Sequence, residues 1–351
     1  MGHIPLIEVT RGNITESVHY GSIAIVYGNS THGFVIGEAS RPFFLRSSAK
    51  PLQALAFLQK AIAGEMNFSP AEIAIMCASH SGTHQHCEVL INLHEKLGLE
   101  EQMLQCGSHM PFDKNTAKEM IISSQQPRPY HNNCSGKHTA MLAFSRLLSV
   151  PTENYLDLNH PVQQEIIQTF SEMCQFPADR IVLGVDGCSA PVFAVPLANA
   201  ARGFANLCQP DQFSASRKKA CRAITTSMVT QPEMVAGPDR FDTEFMRVAD
   251  GKAISKIGAE GFQVIGVFPH ANAGHNTSIG IAIKIADGDK SRRASSVATL
   301  TILKHLGVLN QQDLADLNAF NNHAILNWKK KEVGEIRPAR EFIKQIDDIL
   351  P

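Results

Sequence analysis

The first regular pattern along the chain is a short apolar, β-branched run. Ser22-Ile23-Ala24-Ile25-Val26-Tyr27 gives way to Gly28-Asn29-Ser30, and Gly33-Phe34-Val35-Ile36 resumes the apolar character. Short runs of this kind separated by turn-forming residues predict a β-hairpin. A second pair, Gly261–Phe268 and Thr277–Ile285, flanks a loop rich in Asn, Gly and His. Between these strand regions the period changes. From Gln53 to Ala63, Gly136 to Leu148, Pro161 to Cys174 and Gln212 to Val229, apolar residues recur every three or four positions, which predicts helices. Ser295–Leu306 predicts another, and roughly the last forty residues read as helical segments ending in a polar tail. Strands near both ends with helices between them predict an α+β fold: one antiparallel sheet built from both chain ends, with an inserted helical lobe. No repeat, low-complexity tract or long linker divides the 351 residues. A single domain is expected over 1–351, with a helical subdomain at about 50–230.

Composition narrows the function classes. A hydrophobic fraction of 44% and a charged fraction of 19% are those of an ordinary globular protein. The 32 basic and 33 acidic side chains leave no basic surplus for nucleic acid. The short runs Lys218–Lys219 and Lys329–Lys331 read as solvated helix faces. Met1-Gly2-His3-Ile4-Pro5-Leu6 has no basic segment followed by an apolar one, as a secretory signal requires. Gly2 suits myristoylation, but Leu6 stands where serine or threonine is needed. No window approaches the roughly 18 apolar residues of a membrane span. The expected compartment is the cytoplasm, with no membrane or nucleic-acid partner. The eight cysteines are then expected as thiols or metal ligands, not disulfides. The sequons at Asn13, Asn29 and Asn276 carry no weight there.

Five segments hold too many small and reactive residues for a packed core. They are Arg46-Ser47-Ser48-Ala49-Lys50-Pro51, Cys77-Ala78-Ser79-His80-Ser81-Gly82, Asn132-Asn133-Cys134-Ser135-Gly136-Lys137-His138, Val185-Asp186-Gly187-Cys188-Ser189-Ala190-Pro191 and Ser255-Lys256-Ile257-Gly258-Ala259-Glu260-Gly261. In the first, Ser47 and Lys50 are three apart and share a face if they open a helix. Pro51 lacks an N–H and is tolerated only in a first turn, so it puts Ser47 at the helix start. A lysine is a base only when neutral, which requires burial or a nearby cation to lower its usual pKa of about 10.4. Ser-x-x-Lys alone recurs by chance, and an ordinary helix cap is the plainer reading. A second lysine changes the balance. Lys256-x-Gly258 precedes a predicted strand, and Ser-x-x-Lys with a strand-borne Lys-x-Gly is the arrangement of penicillin-binding proteins and serine β-lactamases. Ser79, closing the apolar run Ile73–Ala78, is a candidate third element.

Cys134 and Cys188 each follow a turn and could jointly bind zinc, with Lys137 as a neutral amine, Asp186 or His138 as further ligands. Buried unpaired thiols are the plainer alternative, since no CxxC pair is present. Cys77, Cys87, Cys106, Cys174, Cys208 and Cys221 read as small core residues. His84-Gln85-His86 lacks the spacing of a helical metal pair and reads as a loop or helix cap.

Seven stretches in order, RSSAKPLQ, CASHSGTH, NNCSGKHTAML, VDGCSAPVFAVPL, VAGPDRFDT, KIGAEG and GIAIKIADG, resemble the asparaginase II family of the rhizobial type, whose fold is that of serine β-lactamases. The resemblance spans nearly the whole chain. It implies amide hydrolysis of L-asparagine, with Ser47 and Lys50 as one serine–lysine tandem and Ser79 and Lys256 as the other. It further implies zinc on Cys134, Lys137 and Cys188, with Asp186 beside them, and a homodimer. In Val235-Ala236-Gly237-Pro238-Asp239-Arg240, proline and aspartate stand where a more flexible glycine turn is expected. Arg46 is the nearest candidate for the substrate α-carboxylate, because guanidinium grips carboxylate bidentately. Asp186 is the candidate for the α-ammonium. Two rivals remain: a β-lactamase or D,D-peptidase-like hydrolase, and a catalytically silent zinc-binding protein.

Overall fold

The computed structural model describes residues 2–28, 30, 33–271, 276–321 and 323–350. In chain order the strands are β1 Ile4–Arg11, β2 Ile14–Tyr27, β3 Gly33–Ile36, β4 Pro42–Phe44, β5 Val182–Val185, β6 Pro191–Pro196, β7 Ala253–Ile257, β8 Phe262–Val267, β9 Ile279–Ile285, β10 His323–Leu326 and β11 Glu332–Pro338. The first six helices are α1 Lys50–Ala63, α2 Pro70–Met76, α3 His84–Leu97, α4 Lys114–Ile122, α5 Ser135–Leu147 and α6 Pro161–Cys174. They are followed by α7 Leu197–Cys208, α8 Ala215–Thr230, α9 Pro232–Val235, α10 Phe241–Ala249, α11 Arg293–His305, α12 Gln311–Asp316 and α13 Arg340–Ile349. The chain forms two compact units. One is Met1–Ser48 with Ala194–Gln209 and Val248–Pro351; the other is Ala49–Phe193 with Pro210–Arg247.

The first unit carries the expected antiparallel sheet from both chain ends, in the order β10-β11-β1-β2-β9-β8-β7, with β3 also paired to β2. Strand β2 is long enough to serve several neighbours. Its first half pairs with β1, as in Val9 opposite Ser17. Its second half pairs with β9 (Ile23 opposite Ile283) and with β3 (Ile23 opposite Ile36), which is the predicted hairpin. Every residue of β8 is buried, the pattern of a strand covered on both faces. Helix α7 packs on β2, β8 and β9. It buries nine of its twelve residues, Leu197, Ala200, Ala201 and every residue from Gly203 to Cys208, so its second half is covered all round. A Cβ on Gly280 of β9 would lie 1.8 Å from the Ala201 carbonyl oxygen, so only glycine allows this approach of strand to helix.

The second unit is helical. Helix α1 buries ten residues, Lys50 to Leu58 and Ala61, because it packs against α5, α6 and α8 at once. Pro51 sits in its first turn, as its missing N–H demands. Helix α2 opens with a capping box between Ser69 and Glu72. A Cβ on Gly136 would stand 1.9 Å from the Ile75 carbonyl oxygen. That glycine lets the start of α5 press on the end of α2, which brings the segments after Cys77 and around Cys134 together.

The α+β class and the helices expected at 53–63, 136–148, 161–174, 212–229 and 295–306 are observed within a few residues of those bounds. Other expectations are corrected. The last forty residues hold strands β10 and β11 as well as helices α12 and α13, and Lys329–Lys331 lie at the turn between the two strands, not on a helix. Charged Glu332, Glu335 and Arg337 masked the alternation of β11, whose buried positions are Gly334 and Ile336. The helical unit begins at Ala49 and also holds β5, and α7 belongs to the first unit. Lys256 precedes the predicted strand, which is β8, and itself lies within β7, a strand not predicted, opposite Val264. Asn29 of the first turn and residues 272–275 of the Asn-, Gly- and His-rich loop lie outside the described residues. Among the described residues no helix is long and apolar enough to cross a membrane.

Candidate active site

In the helical unit, Lys50 opens α1 and is 1% exposed. Its Nζ donates to the Ala78 carbonyl at 2.8 Å, to Ser79 Oγ at 2.9 Å and to the Asn133 carbonyl at 3.1 Å. Three acceptors match the three protons of an ammonium. Ser79 is itself buried, and its N–H is fixed by the Val235 carbonyl at 2.9 Å. A lysine amine and a serine hydroxyl are therefore already at proton-transfer distance. This Lys50–Ser79 bond is additional to the two tandems that the sequence implied.

In the sheet unit, Ser47 lies on a 3-10 turn, Arg46–Ala49, that runs directly into α1. Arg46 adopts a left-handed φ of 52°. Its neighbour Ser48 is fully buried, and Ser48 Oγ donates to the Lys256 carbonyl at 2.8 Å. A Cβ on Gly258 would fall 2.4 Å from the Leu45 carbonyl oxygen. The Ser-x-x-Lys turn is thus seated on the end of β7, and the glycine of Lys-x-Gly is what permits it. Lys256 is 0% exposed, with Nζ donating to the Ile257 carbonyl at 3.1 Å.

Cys134, Lys137 and Cys188 converge in the helical unit. All three are buried, and Lys137 Nζ lies 3.1 Å from Cys188 Sγ. The hydrogen bond from Cys188 holds Cys134 well below the usual thiol range, helped against burial by the charges of Lys50 and Lys137. The same bond, with burial, pushes Cys188 up. The two thiols are coupled, so their shifts belong to the pair. Burial alone would lower Lys137, but Cys188, Cys134 and Asp186 outweigh it and hold the ammonium form. Among the described residues no three His, Cys, Asp or Glu side chains converge as a metal site, so a metal here has to count the amine. Two thiols and an amine form a soft donor set suited to zinc, provided the amine loses its proton. His138 is buried and neutral, because burial lowers its pKa. Its Nδ1 is 2.6 Å from the Tyr155 hydroxyl, and Cys188 beside the ring works against burial on its pKa.

None of the eight cysteines is in a disulfide. Cys77, Cys106, Cys174, Cys208 and Cys221 are buried as expected, whereas Cys87 is only half-buried. Burial raises Cys87 to about 11 and Cys106 and Cys221 to about 12, which marks them as inert thiols beside Cys134. His84 to His86 form the first turn of α3, where His86 Nδ1 accepts the N–H of the cap residue Thr83. Asp186 is half-exposed. Its N–H donates to the Ala190 carbonyl and its Oδ1 accepts from the Gly187 N–H.

Three residues were not singled out from the sequence. Asn133 lends Lys50 an acceptor, and its N–H donates to His109 Nε2 at 3.1 Å. His80, held well below the usual imidazole range by burial and then by His86 and Lys50, links Ser135 Oγ and the Gly82 N–H. Arg240 Nη1 donates to Ser81 Oγ at 3.1 Å. The segment Val235–Arg240 is tied down here: Ser81 Oγ donates to the Ala236 carbonyl, and a Cβ on Gly237 would meet Ser81 at 2.8 Å. Ala236, Gly237 and Arg240 thus hold that turn against the loop that carries Ser79 and Ser81.

A buried lysine amine on a serine hydroxyl is the equipment of hydrolases that work through an acylated serine. The family model for L-asparaginase II matches residues 7–338, and the chain belongs to that family, which makes it an amidohydrolase. No curated protein matches it. Solved structures resemble it remotely. The native form of Mglu is 12% identical with a TM-score of 0.43; the match covers 84% of this chain and only 63% of that one. A probable glutaminase from Bacillus subtilis complexed with 6-diazo-5-oxo-L-norleucine is 10% identical, with 82% and 84% of the two chains covered and a TM-score of 0.39. A β-lactamase from Burkholderia ambifaria is 14% identical, with 80% and 93% covered and a TM-score of 0.38. Such scores are too low to carry a substrate across.

Proposed function

We propose that the protein hydrolyses the side-chain amide of L-asparagine to L-aspartate and ammonia through a Ser–Lys nucleophile, as a cytoplasmic homodimer. The observation that carries this reading is the buried Lys50 amine bonded to Ser79 Oγ in a chain of the L-asparaginase II family. Ser47, relieved of its proton by neutral Lys50, attacks the carboxamide carbon. N–H groups at the start of α1 stabilise the tetrahedral oxyanion, where the helix end also presents positive potential. The C–N bond then breaks, and ammonia takes a proton relayed through Ser79 and Lys256. Water cleaves the resulting β-aspartyl ester by the same groups in reverse. Arg46 reads the α-carboxylate, and Asp186 the α-ammonium.

Zinc fits the cluster of Cys134, Lys137 and Cys188, and when bound it would supply a fixed positive centre that shapes the substrate pocket. Protein isolated without chelator is expected to carry about one zinc per chain. Metal analysis of the Cys134→Ser, Cys188→Ser double variant should find it gone; stoichiometric zinc in that variant would place the site elsewhere.

Selectivity provides the direct test of substrate. Ammonia release from L-asparagine should greatly exceed that from L-glutamine, because one extra methylene moves the carboxamide off a fixed nucleophile. Equal or faster turnover of glutamine would make the enzyme a glutaminase. Release of ammonia from neither, with zinc bound, would leave a silent metal protein.

A further inference from the structure

Lys50 can take a serine proton only as a neutral amine, and a neutral amine has two N–H bonds and one lone pair. Where the lone pair points is decided by what holds the two protons. Of the three oxygens around Nζ, the carbonyls of Ala78 and Asn133 can only accept, whereas Ser79 Oγ can donate or accept. With both carbonyls in place, each takes one N–H and the lone pair is left to the hydroxyl. Without the Asn133 carbonyl, one N–H is free to donate to Ser79 Oγ, and the amine stops being an acceptor there. The Ala78 carbonyl adjoins Ser79 in the chain and stays beside it. Asn133 comes from another segment and has to be held.

His109 does the holding. Its Nδ1 lies 2.7 Å from the Met110 carbonyl, which can only accept, so Nδ1 carries the proton. Nε2 is then bare and accepts the Asn133 N–H at 3.1 Å. Asn133 Oδ1, 3.4 Å from the same nitrogen, is too distant to reverse that assignment. The Phe112 ring stacks on the imidazole with centroids 4.7 Å apart, which limits its rotation. The loop of residues 106–113 is itself bound at both ends. Asn132 Nδ2 donates to the Cys106 carbonyl at 2.8 Å, and the Asp113 N–H donates to the Ser81 carbonyl at 2.9 Å. One loop thus ties the segment of Ser79 to the segment of Asn133. It lies outside the seven stretches that resemble the family.

We propose that His109 is a positioning residue, which holds Asn133 so that the lone pair of Lys50 faces the serine hydroxyl. This rests on the proposed role of Lys50 as the base. Cys134 has a brace of its own, since its N–H donates to Asn132 Oδ1 at 2.8 Å. Releasing Asn133 therefore disturbs the amine and leaves the thiol pair in place.

Two amide substitutions separate the ring nitrogens. The side chain of His109→Gln reaches the place of Nε2 and can accept the Asn133 N–H. That of His109→Asn stops at the place of Nδ1 and keeps only the Met110 carbonyl. His109→Asn should lower kcat for asparagine about tenfold, the weight of one hydrogen bond, with KM and zinc content unchanged. His109→Gln should keep most of kcat. Both should melt near the wild type, because His109 is only half-buried in its loop. Hydrogen exchange at the Asn133 amide, which needs no substrate, should be fast in His109→Asn and slow in the wild type and in His109→Gln. Full kcat in His109→Asn would overturn the proposal, as would equal losses in the two variants or an Asn133 amide still protected in His109→Asn. Lys50→Met tells the two kinds of failure apart. If that chain still turns over asparagine, the base lies elsewhere and the proposed mechanism falls together with the role of His109. If it is inactive while His109→Asn is fully active, the positioning role alone falls.

Discussion

Ser47→Ala is expected to lower kcat for asparagine by several orders of magnitude while the chain stays folded. A covalent nucleophile has no substitute, and what survives its removal comes from binding and the oxyanion donors alone. The fold makes this a clean substitution. Ser47 is half-exposed on its 3-10 turn, so loss of one hydroxyl opens no cavity. Its neighbour behaves differently. Ser48 is fully buried and donates to the Lys256 carbonyl, so Ser48→Ala removes a buried hydrogen bond at a cost of about 1–3 kcal/mol. It should lower melting temperature before it lowers kcat. Steady-state kinetics and thermal melts of the two variants separate the roles. More than about a tenth of wild-type activity in Ser47→Ala would remove Ser47 as the nucleophile.

The two adjacent serines show what the sequence could and could not say. The Ser-x-x-Lys spacing marks Ser47, and Pro51 places it at a helix start, both by local rules. Which of the two serines is buried depends on β7, some two hundred residues away, and no local pattern reports that. The long helices were legible because α6 and α1 repeat apolar residues over several turns. Strand β11 was not, because its charged residues hide a two-residue period. Helix α7 was passed over because its small residues, Ala200, Ala201 and Ala205, are weakly hydrophobic; Ala201 and Ala205 matter through the one glycine they meet on β9, Gly280. In the site, reactive residues in short motifs stood out. Asn133 and Arg240 did not, because each acts through one backbone or side-chain hydrogen bond that only the folded loops create.

Lys50→Met and Lys256→Met are each expected to reduce turnover nearly to background, and the double variant to be little worse than either. Groups that pass one proton along a relay fail together, so their losses do not add. The structure gives the relay a physical link at Lys50, whose amine already bonds Ser79 Oγ at 2.9 Å. It also gives a reason for care. Methionine at 50 leaves the Ala78 and Asn133 carbonyls without their buried donor, and an orphaned buried acceptor costs about 1–3 kcal/mol. Lower stability alone would reduce activity in proportion to the unfolded fraction, and cooling the assay would recover it. Loss of the base survives cooling in a chain that melts well above the assay temperature. The wild-type rate should also climb with pH, since the lysine that accepts the serine proton must first lose its own. A flat profile between about pH 6 and 9 would argue against a lysine base. Additive losses in the double variant would mean that the two lysines act in separate steps, and Ser79 would then serve Lys50 alone.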